Sequence, residues 1–369
     1  MKVLVTGGAG FIGSHLVARL LSGGDSVVVY DNFDPQVHLK KVRPAKAPRL
    51  KNVVGDVRDR TALAAELKKV DAVIHLAAAV GVGQSQYRIR HYVDANLNGT
   101  ATLLDILAND PHKVARIVVA SSMSAYGEGA YECAKCGRVR PNLRSDEGMK
   151  QGKWEPDCPG CGGGLRPVPT KESDRFFPNS IYAVTKMAQE ELVLNYGLAY
   201  GVPSVALRFF NVFGPGQSLS NPYTGVTAIF MGRLKNKRAP VIYEDGLQCR
   251  DFTSVYDIVQ AIELSMRKPI GERRIFNVGT GVPTPIKSIA EILGRCYKSD
   301  LRPTVVEKFR SGDVRHCYAD IGQITESLGY RPKVLLEEGM RELVDWAGTA
   351  EAKDGFDEAQ RELARRGLV

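Results

Sequence analysis

The sequence predicts an α/β protein built on a doubly wound parallel sheet, with a smaller C-terminal lobe and a cysteine-rich insert. Three observations carry this expectation. Short β-branched runs alternate with stretches of helical periodicity from Lys2 to Met123. A glycine triplet, "TGGAGFIG", joins the first run to the first helix. Two Cys-x-x-Cys pairs interrupt the alternation between Gly127 and Pro178. Strands alternating with helices place a parallel sheet between two helical layers.

"KVLVTG" reads as a strand ended by glycine, and "SHLVARLLSGG" as a helix with a glycine stop. "DSVVVYD" and "LKNVVGDVRD" are the next strands, followed by the helix "TALAAELKKV". "DAVIHLAAA" is a fourth strand, "NLNGTATLLDILAND" a helix and "ARIVVASSM" a fifth strand. The helical pattern resumes in "SIYAVTKMAQEELVLNYGLAYG", the strand "PSVALRFF" follows, and "GPGQSLSNPYTG" reads as a loop. The expected main domain takes residues 1–127, 171–210 and 245–281, with the insert at 128–170. A second lobe takes 211–244 and 282–348. Residues 349–369 form a charged tail, either a surface helix or a frayed end.

A chain of 369 residues is long enough for two lobes, and 44% hydrophobic with 25% charged residues is ordinary for a globular protein. No apolar run approaches the ~20 residues that span a bilayer. The start, "MKVLVTGG", reads as a strand rather than a signal peptide. A cytoplasmic protein with no membrane partner is therefore expected. The net charge is +9, and Lys40, Lys41, Arg43, Lys46, Arg49 and Lys51 crowd one stretch. Such charge admits nucleic acid or a phosphorylated small molecule as partner, with a solvated basic surface as the simpler account.

Gly7, Gly10 and Gly13 stand between the first strand and its helix. The first permits a tight turn, the second lets backbone approach a pyrophosphate, and the third lets helix pack on strand. The helix N-terminus then turns amide groups toward the phosphates. This is the Rossmann pattern for a dinucleotide. Asp31 ends the second strand, 18 residues after Gly13. A carboxylate there accepts hydrogen bonds from the adenosine ribose and repels a 2′-phosphate, which favours NAD. Asp56 and Val57 of "GDVRD" can hold the adenine edge, although Asp56 reads equally well as a turn residue.

Tyr182 and Lys186 stand four apart in "YAVTK", on one face of a helix. A tyrosine with a pKa of about 10 is a poor base at neutral pH, and depressing it by ~3 units takes ~4 kcal/mol of phenolate stabilisation. A neighbouring ammonium and a positive nicotinamide ring favour the phenolate. "SSMSAYG" supplies Ser122 to share the substrate proton with Tyr182, and Ser124 as a substrate contact.

Together with "VYDN", "HLAA", "NLNGT", "LRFFNVFGP" and "RDF", these motifs resemble the extended short-chain dehydrogenase/reductase family, in its NAD-dependent nucleotide-sugar epimerase and dehydratase branch. The resemblance covers nearly the whole chain outside the cysteine insert. It implies that Phe11, Ile12, Asn32, Leu76, Ala77, Ala78 and Asn96 join the cofactor site. It implies that Asn211, Asn221, Arg250 and Arg310 meet the nucleotide-diphosphate sugar, with Tyr243 on its base. Arginine forks suit its phosphates. Dehydratases of the family carry an acidic pair after the hydroxyl residue, where this chain has Met123 and Ser124. That leaves 4-epimerisation. "AAAVGVGQS", "LSNPYTGVTAIF" and "EDGLQCRDF" are most similar to the branch acting on dTDP-L-rhamnose and dTDP-6-deoxy-L-talose. UDP-hexose or UDP-uronate epimerases, dehydratases and reductases are the alternatives. The resemblance also implies a homodimer built on the Tyr182 helix and the "NLNGTATLL" helix.

Cys133, Cys136, Cys158 and Cys161 form Cys-x2-Cys, 21 residues, Cys-x2-Cys, each pair followed by glycine, Gly137 and Gly162. Four thiolates suit tetrahedral zinc and leave no open position, so the metal is expected to be structural. Free thiols and iron are the alternatives. The insert connects the Ser122 strand end to the Tyr182 helix and is expected as a zinc-stapled flap over the sugar. A rival class is a zinc-ribbon nucleic-acid binder on a Rossmann scaffold. Against it, Asp146, Glu147, Glu155 and Asp157 dilute the insert's positive charge, and only Tyr131 and Trp154 are obvious aromatics there for stacking.

Overall fold

A computed structural model describes residues 1–38, 46–221, 223, 225–310, 312–350 and 354–368. Lys40, Lys41 and Arg43 of the basic stretch lie outside the described residues, as does the tail from Glu351 to Lys353. Among the described residues no helix is long and apolar enough to cross a membrane.

Seven strands form one parallel sheet: β1 (Lys2–Thr6), β2 (Ser26–Asp31), β3 (Leu50–Val54), β4 (Ala72–His75), β5 (Ile117–Ser122), β6 (Ser204–Phe209) and β7 (Arg273–Val278). Their spatial order is β7-β6-β5-β4-β1-β2-β3. The chain fills one side of β1 and then crosses to the other, so β1 and β4 bound a crevice at their carboxyl ends.

Alternate side chains of each strand feed two cores. Val3, Val5 and Val27 pack with α1 (Phe11–Ser22) and a later helix, Val255–Arg267, through Leu16, Leu20, Ile258 and Ile262. Leu4, Val28 and Val73 pack against α2 (Arg60–Leu67), α3 (Gly99–Asn109) and α4 (Ile181–Tyr200). Burial on both faces explains why the strands read as continuous apolar runs.

Phe213, Phe230, Ile242, Ile289, Leu293, Met340 and Leu343 form a separate core. The tail supplies a docked helix, Phe356–Arg365, which buries Phe356, Ala359 and Leu363.

In the insert, Ala130–Cys133 pairs antiparallel with Gly137–Val139 and with Arg166–Val168. The insert does not stand free as a flap. Glu128 accepts the backbone N–H groups of Arg315 and His316, both at 2.7 Å. Thr170 N–H donates to Tyr318 O at 2.8 Å. Buried backbone donors need partners, and these contacts stitch the insert to the 314–320 segment.

Candidate active site

One cleft runs along the carboxyl ends of β1, β2, β4 and β5. Its wall includes Gly7, Gly10, Asp31, Asp56, Ala77, Ser122, Tyr182 and Lys186. Phe11, Ile12, Gly13, Asn32, Val57, Leu76, Ala78 and Asn221 also face it. Gly7 has φ +68°, and a Cβ there would lie 2.9 Å from Ala77 N. A Cβ on Gly13 would lie 2.3 Å from Gly7 O. No side chain caps the start of α1, which leaves its first amides for an anion.

Asp31 fastens this loop to β2. Its Oδ2 accepts from Ala9 N at 3.0 Å and its Oδ1 from Phe33 N at 2.9 Å. Asp56 accepts from the backbone N–H and guanidinium of Arg58 and from Asn32 Nδ2. The Arg58 side chain is the main cause holding its carboxyl down at about 2. Asp56 thus shapes a turn and also lines the cleft. Ser121 Oγ is buried in the cleft with no hydrogen-bond partner among the described residues. A glycine-lined cradle, an uncapped helix start and an unpartnered hydroxyl fit a dinucleotide.

Asn96, which the resemblance assigns to supporting the cofactor site, stands one layer back from the cleft. It is fully buried and lies outside the cleft wall. Its amide bonds both backbone atoms of Ala79, at 2.7 and 3.1 Å, and donates to Thr185 Oγ1 at 2.9 Å. It braces the cleft wall from behind because those partners use its donors and acceptor.

Ser122 ends β5 and caps the next turn, accepting from Ser124 N at 3.2 Å and from Ser124 Oγ at 2.9 Å. Ser180 caps α4 through Ala183 N, and Ser85 Oγ accepts from Tyr182 N at 3.0 Å. The Tyr182 ring meets Tyr92 edge-on at 6.4 Å. Burial raises the Tyr182 phenol above its ordinary value, with the Ser122 hydrogen bond opposing. Burial pushes the Lys186 ammonium down to about 7, with Glu190 opposing. Lys186 Nζ donates to Gln189 Oε1 at 2.8 Å.

Gln189 Nε2 continues to Thr100 Oγ1 at 2.8 Å, and Thr100 donates to Asn96 O at 2.6 Å. Thr100 Oγ1 can then accept from His75 Nε2, 3.0 Å away, leaving His75 Nδ1 to accept from Thr6 Oγ1 at 2.7 Å. Burial, and then the Lys186 charge, push His75 down to about 3, so it stays neutral. The sequence reading missed Ser85, Tyr92, Thr100, Gln189 and this role of His75. Gln189 was findable, since it stands three residues after Lys186 on the same helix.

Ser124, Asn211, Tyr243, Arg250 and Arg310 lie outside this cleft wall. Asn211 Oδ1 and Arg310 Nε are buried without partners among the described residues. The Arg310 guanidinium lies 5.1 Å from the Tyr243 ring centroid. Tyr243 OH donates to Gln360 Oε1 at 2.5 Å. Arg250 is partly engaged already, donating to the carbonyls of Cys249, Arg315 and Val314 at 2.9, 3.0 and 2.5 Å.

The Sγ atoms of Cys133, Cys136, Cys158 and Cys161 all lie within 4.8 Å of one another. Gly137 and Gly162 have φ +72° and +68°, the turn each knuckle needs. Backbone amides of Cys136 and Lys135 draw the Cys133 thiol down to about 6.

A doubly wound sheet with serine, tyrosine and lysine gathered at its switch point defines the short-chain dehydrogenase/reductase class. Residues 3–142 match the NAD dependent epimerase/dehydratase family, and residues 162–343 match GDP-mannose 4,6 dehydratase. The chain is 38% identical to a dTDP-L-rhamnose 4-epimerase of Burkholderia thailandensis, covering 94% of each protein. It is similar to the structure of a UDP-N-acetylglucosamine 4-epimerase from Methanobrevibacter ruminantium, with TM-score 0.77, 30% identity and coverage of 95% and 99%. It is also similar to a Thermus thermophilus UDP-glucose 4-epimerase in complex with NAD, with TM-score 0.73, 27% identity and coverage of 95% and 100%. The chain belongs to the NAD-dependent epimerase/dehydratase family.

Proposed function

We propose that this protein is an NAD-dependent nucleotide-sugar 4-epimerase that interconverts dTDP-L-rhamnose and dTDP-6-deoxy-L-talose. The observation that carries the chemistry is the grouping of Ser122, Tyr182 and Lys186 on one cleft with the glycine cradle. Gly7, Gly10, Gly13 and the start of α1 take the pyrophosphate, and Asp31 takes the adenosine ribose. When bound, NAD supplies the hydride acceptor for sugar C4 and a positive ring charge beside the phenol.

Tyr182 Oη takes the proton of the sugar 4-hydroxyl as the C4 hydride leaves, and Ser122 Oγ shares that proton. The planar 4-keto sugar turns over in the site. Tyr182 Oη returns the proton to the 4-oxygen once hydride has reached the opposite face. Burial holds the Tyr182 phenol above its ordinary value, and the Ser122 hydrogen bond is what opposes it. A bound dinucleotide would supply the positive ring charge that favours the Tyr182 phenolate. Met123 and Ser124 offer no carboxyl for dehydration.

Asn211, Asn221, Arg250 and Arg310 are assigned to the sugar diphosphate and Tyr243 to the base. The relative acting on dTDP-L-rhamnose supports that substrate. Zinc in the cysteine cluster is structural. Tetrahedral sulfurs at bonds of about 2.3 Å stand roughly 3.8 Å apart, compatible with four thiols within 4.8 Å. A homodimer through α3 and α4 is supported by exposed Val184, Leu192, Leu198 and Tyr200 along α4.

The test is a panel of nucleotide sugars incubated with NAD-loaded protein and read by NMR for inversion at C4. Tyr182→Phe serves as the inactive control. Unchanged dTDP-L-rhamnose with turnover of a UDP-hexose sinks the substrate assignment. No inversion of any sugar sinks the reaction.

A further inference from the structure

Residues 143–161 fall between the two family matches, and Arg144 stands among them. Its guanidinium is buried where the insert meets the second lobe, with the Arg144 side chain 3% exposed and its partner Glu244 2%. Nη1 and Nη2 donate to Glu244 Oε2 and Oε1 at 2.9 and 2.8 Å, a planar fork on a carboxylate. The same Nη2 donates to Asp313 O at 2.9 Å. Nη1 also donates to Trp154 O at 3.1 Å, and the Trp154 ring packs on Phe309 at 6.4 Å.

These contacts join two segments distant in sequence. Glu244 follows Tyr243, and Phe309 to Asp313 contain Arg310. The segments lie side by side, with Glu244 N–H donating to Lys308 O at 2.8 Å. Glu244 has φ +55°, a conformation that residues with a Cβ seldom adopt. Its carboxylate is gripped by Arg144 and, at 2.9 Å, by Arg315 Nη1. Glu155 of the insert completes the grip by accepting from Arg315 Nε at 2.8 Å.

We propose that Arg144 is a positioning residue for nucleoside-diphosphate binding. It locks the Tyr243 segment to the Arg310 segment, so an element outside the matched family regions sets the affinity for the nucleotide end of the substrate. This rests on the assignment of Tyr243 and Arg310 to the nucleotide. The insert acts on substrate affinity from the side, through the second lobe. The dinucleotide cleft, which Arg144 does not line, is left alone.

The experiment titrates dTDP into full-length, metal- and NAD-loaded protein by calorimetry, comparing wild type with Arg144→Met and Arg144→Lys. Arg144→Met should weaken dTDP at least ten-fold with NAD content unchanged. Arg144→Lys, keeping charge but losing the fork, should fall between. Equal dTDP affinity in all three overturns the proposal, as does a loss of NAD affinity matching the loss of dTDP affinity. Should Arg144→Met fail to fold, Trp346→Phe leaves Trp154 as the sole tryptophan reporter. Its emission should then change saturably with dTDP, and an unresponsive Trp154 overturns the proposal. Wild type that binds neither dTDP nor UDP overturns the nucleotide-sugar reading instead. Normal dTDP binding without epimerisation overturns only the catalytic reading.

Discussion

Lys186 and Gln189 are joined by a 2.8 Å hydrogen bond, ammonium to amide oxygen, within α4. Gln189 is fully buried, and its own nitrogen is tied to Thr100. The proposed catalytic lysine is therefore held from behind by a second polar layer, which stabilises its charged form in a site where burial opposes charge.

Gln189→Met removes that acceptor and nearly preserves volume. Hydrogen bonds to charged groups contribute ~1.5–3 kcal/mol, so the Lys186 pKa should fall further below about 7. The alkaline limb of the kcat–pH profile should move to lower pH by about one unit or more. A profile that superimposes on wild type rules out this role for Gln189.

Gly13→Ala places a methyl 2.3 Å from Gly7 O, a backbone atom that cannot swing aside. Helix α1 must back away from β1, and the pyrophosphate cradle opens. NAD affinity should drop by at least ten-fold, read by fluorescence titration of apoprotein, while urea unfolding changes by less than the whole stability. Retained NAD affinity would show that the cradle lies elsewhere.

His75 carries a pH signature. Its folded-state value of about 3 lies below the ordinary histidine value of 6.5. Folded His75 stays neutral while the unfolded chain takes up a proton. Its contribution to stability is thus complete above pH 6.5 and is lost as pH falls toward 3. Between pH 7 and pH 5 the loss is about 2 kcal/mol. Urea midpoints for wild type and His75→Gln at both pH values isolate the effect. Equal pH slopes for the two proteins count against it.

Removing metal with a strong chelator should raise hydrogen exchange across residues 128–170 and weaken dTDP binding, with bound NAD retained. Structural zinc can contribute on the order of 10 kcal/mol to ordering a small segment. Protein purified without chelator that contains no stoichiometric metal would falsify the zinc assignment.

Much of this protein was legible in one dimension. Strand and helix periods are local, so the alternation from Lys2 to Ser122 and the helix from Ile181 stood out in the sequence. The Gly7–Gly10–Gly13 spacing and the Tyr182–Lys186 spacing are local too. So are the cysteine knuckles, each built by a turn within four residues. Asn96 could be assigned to the site but its partners could not, since Ala79 and Thr185 come from two other segments. The resemblance assigns Arg250 to phosphate, yet its fork partly serves the carbonyls of Val314 and Arg315, 64 and 65 residues away in the chain.

The insert shows the division most clearly. The sequence by itself determined that a four-cysteine element interrupts the path from Ser122 to Tyr182. Only the tertiary structure decided where that element rests. The Glu128–Arg315 contact spans 187 residues, and no periodicity or spacing encodes it. A buried backbone N–H takes whichever acceptor the folded chain brings near, and that is settled only when segments distant in sequence pack together.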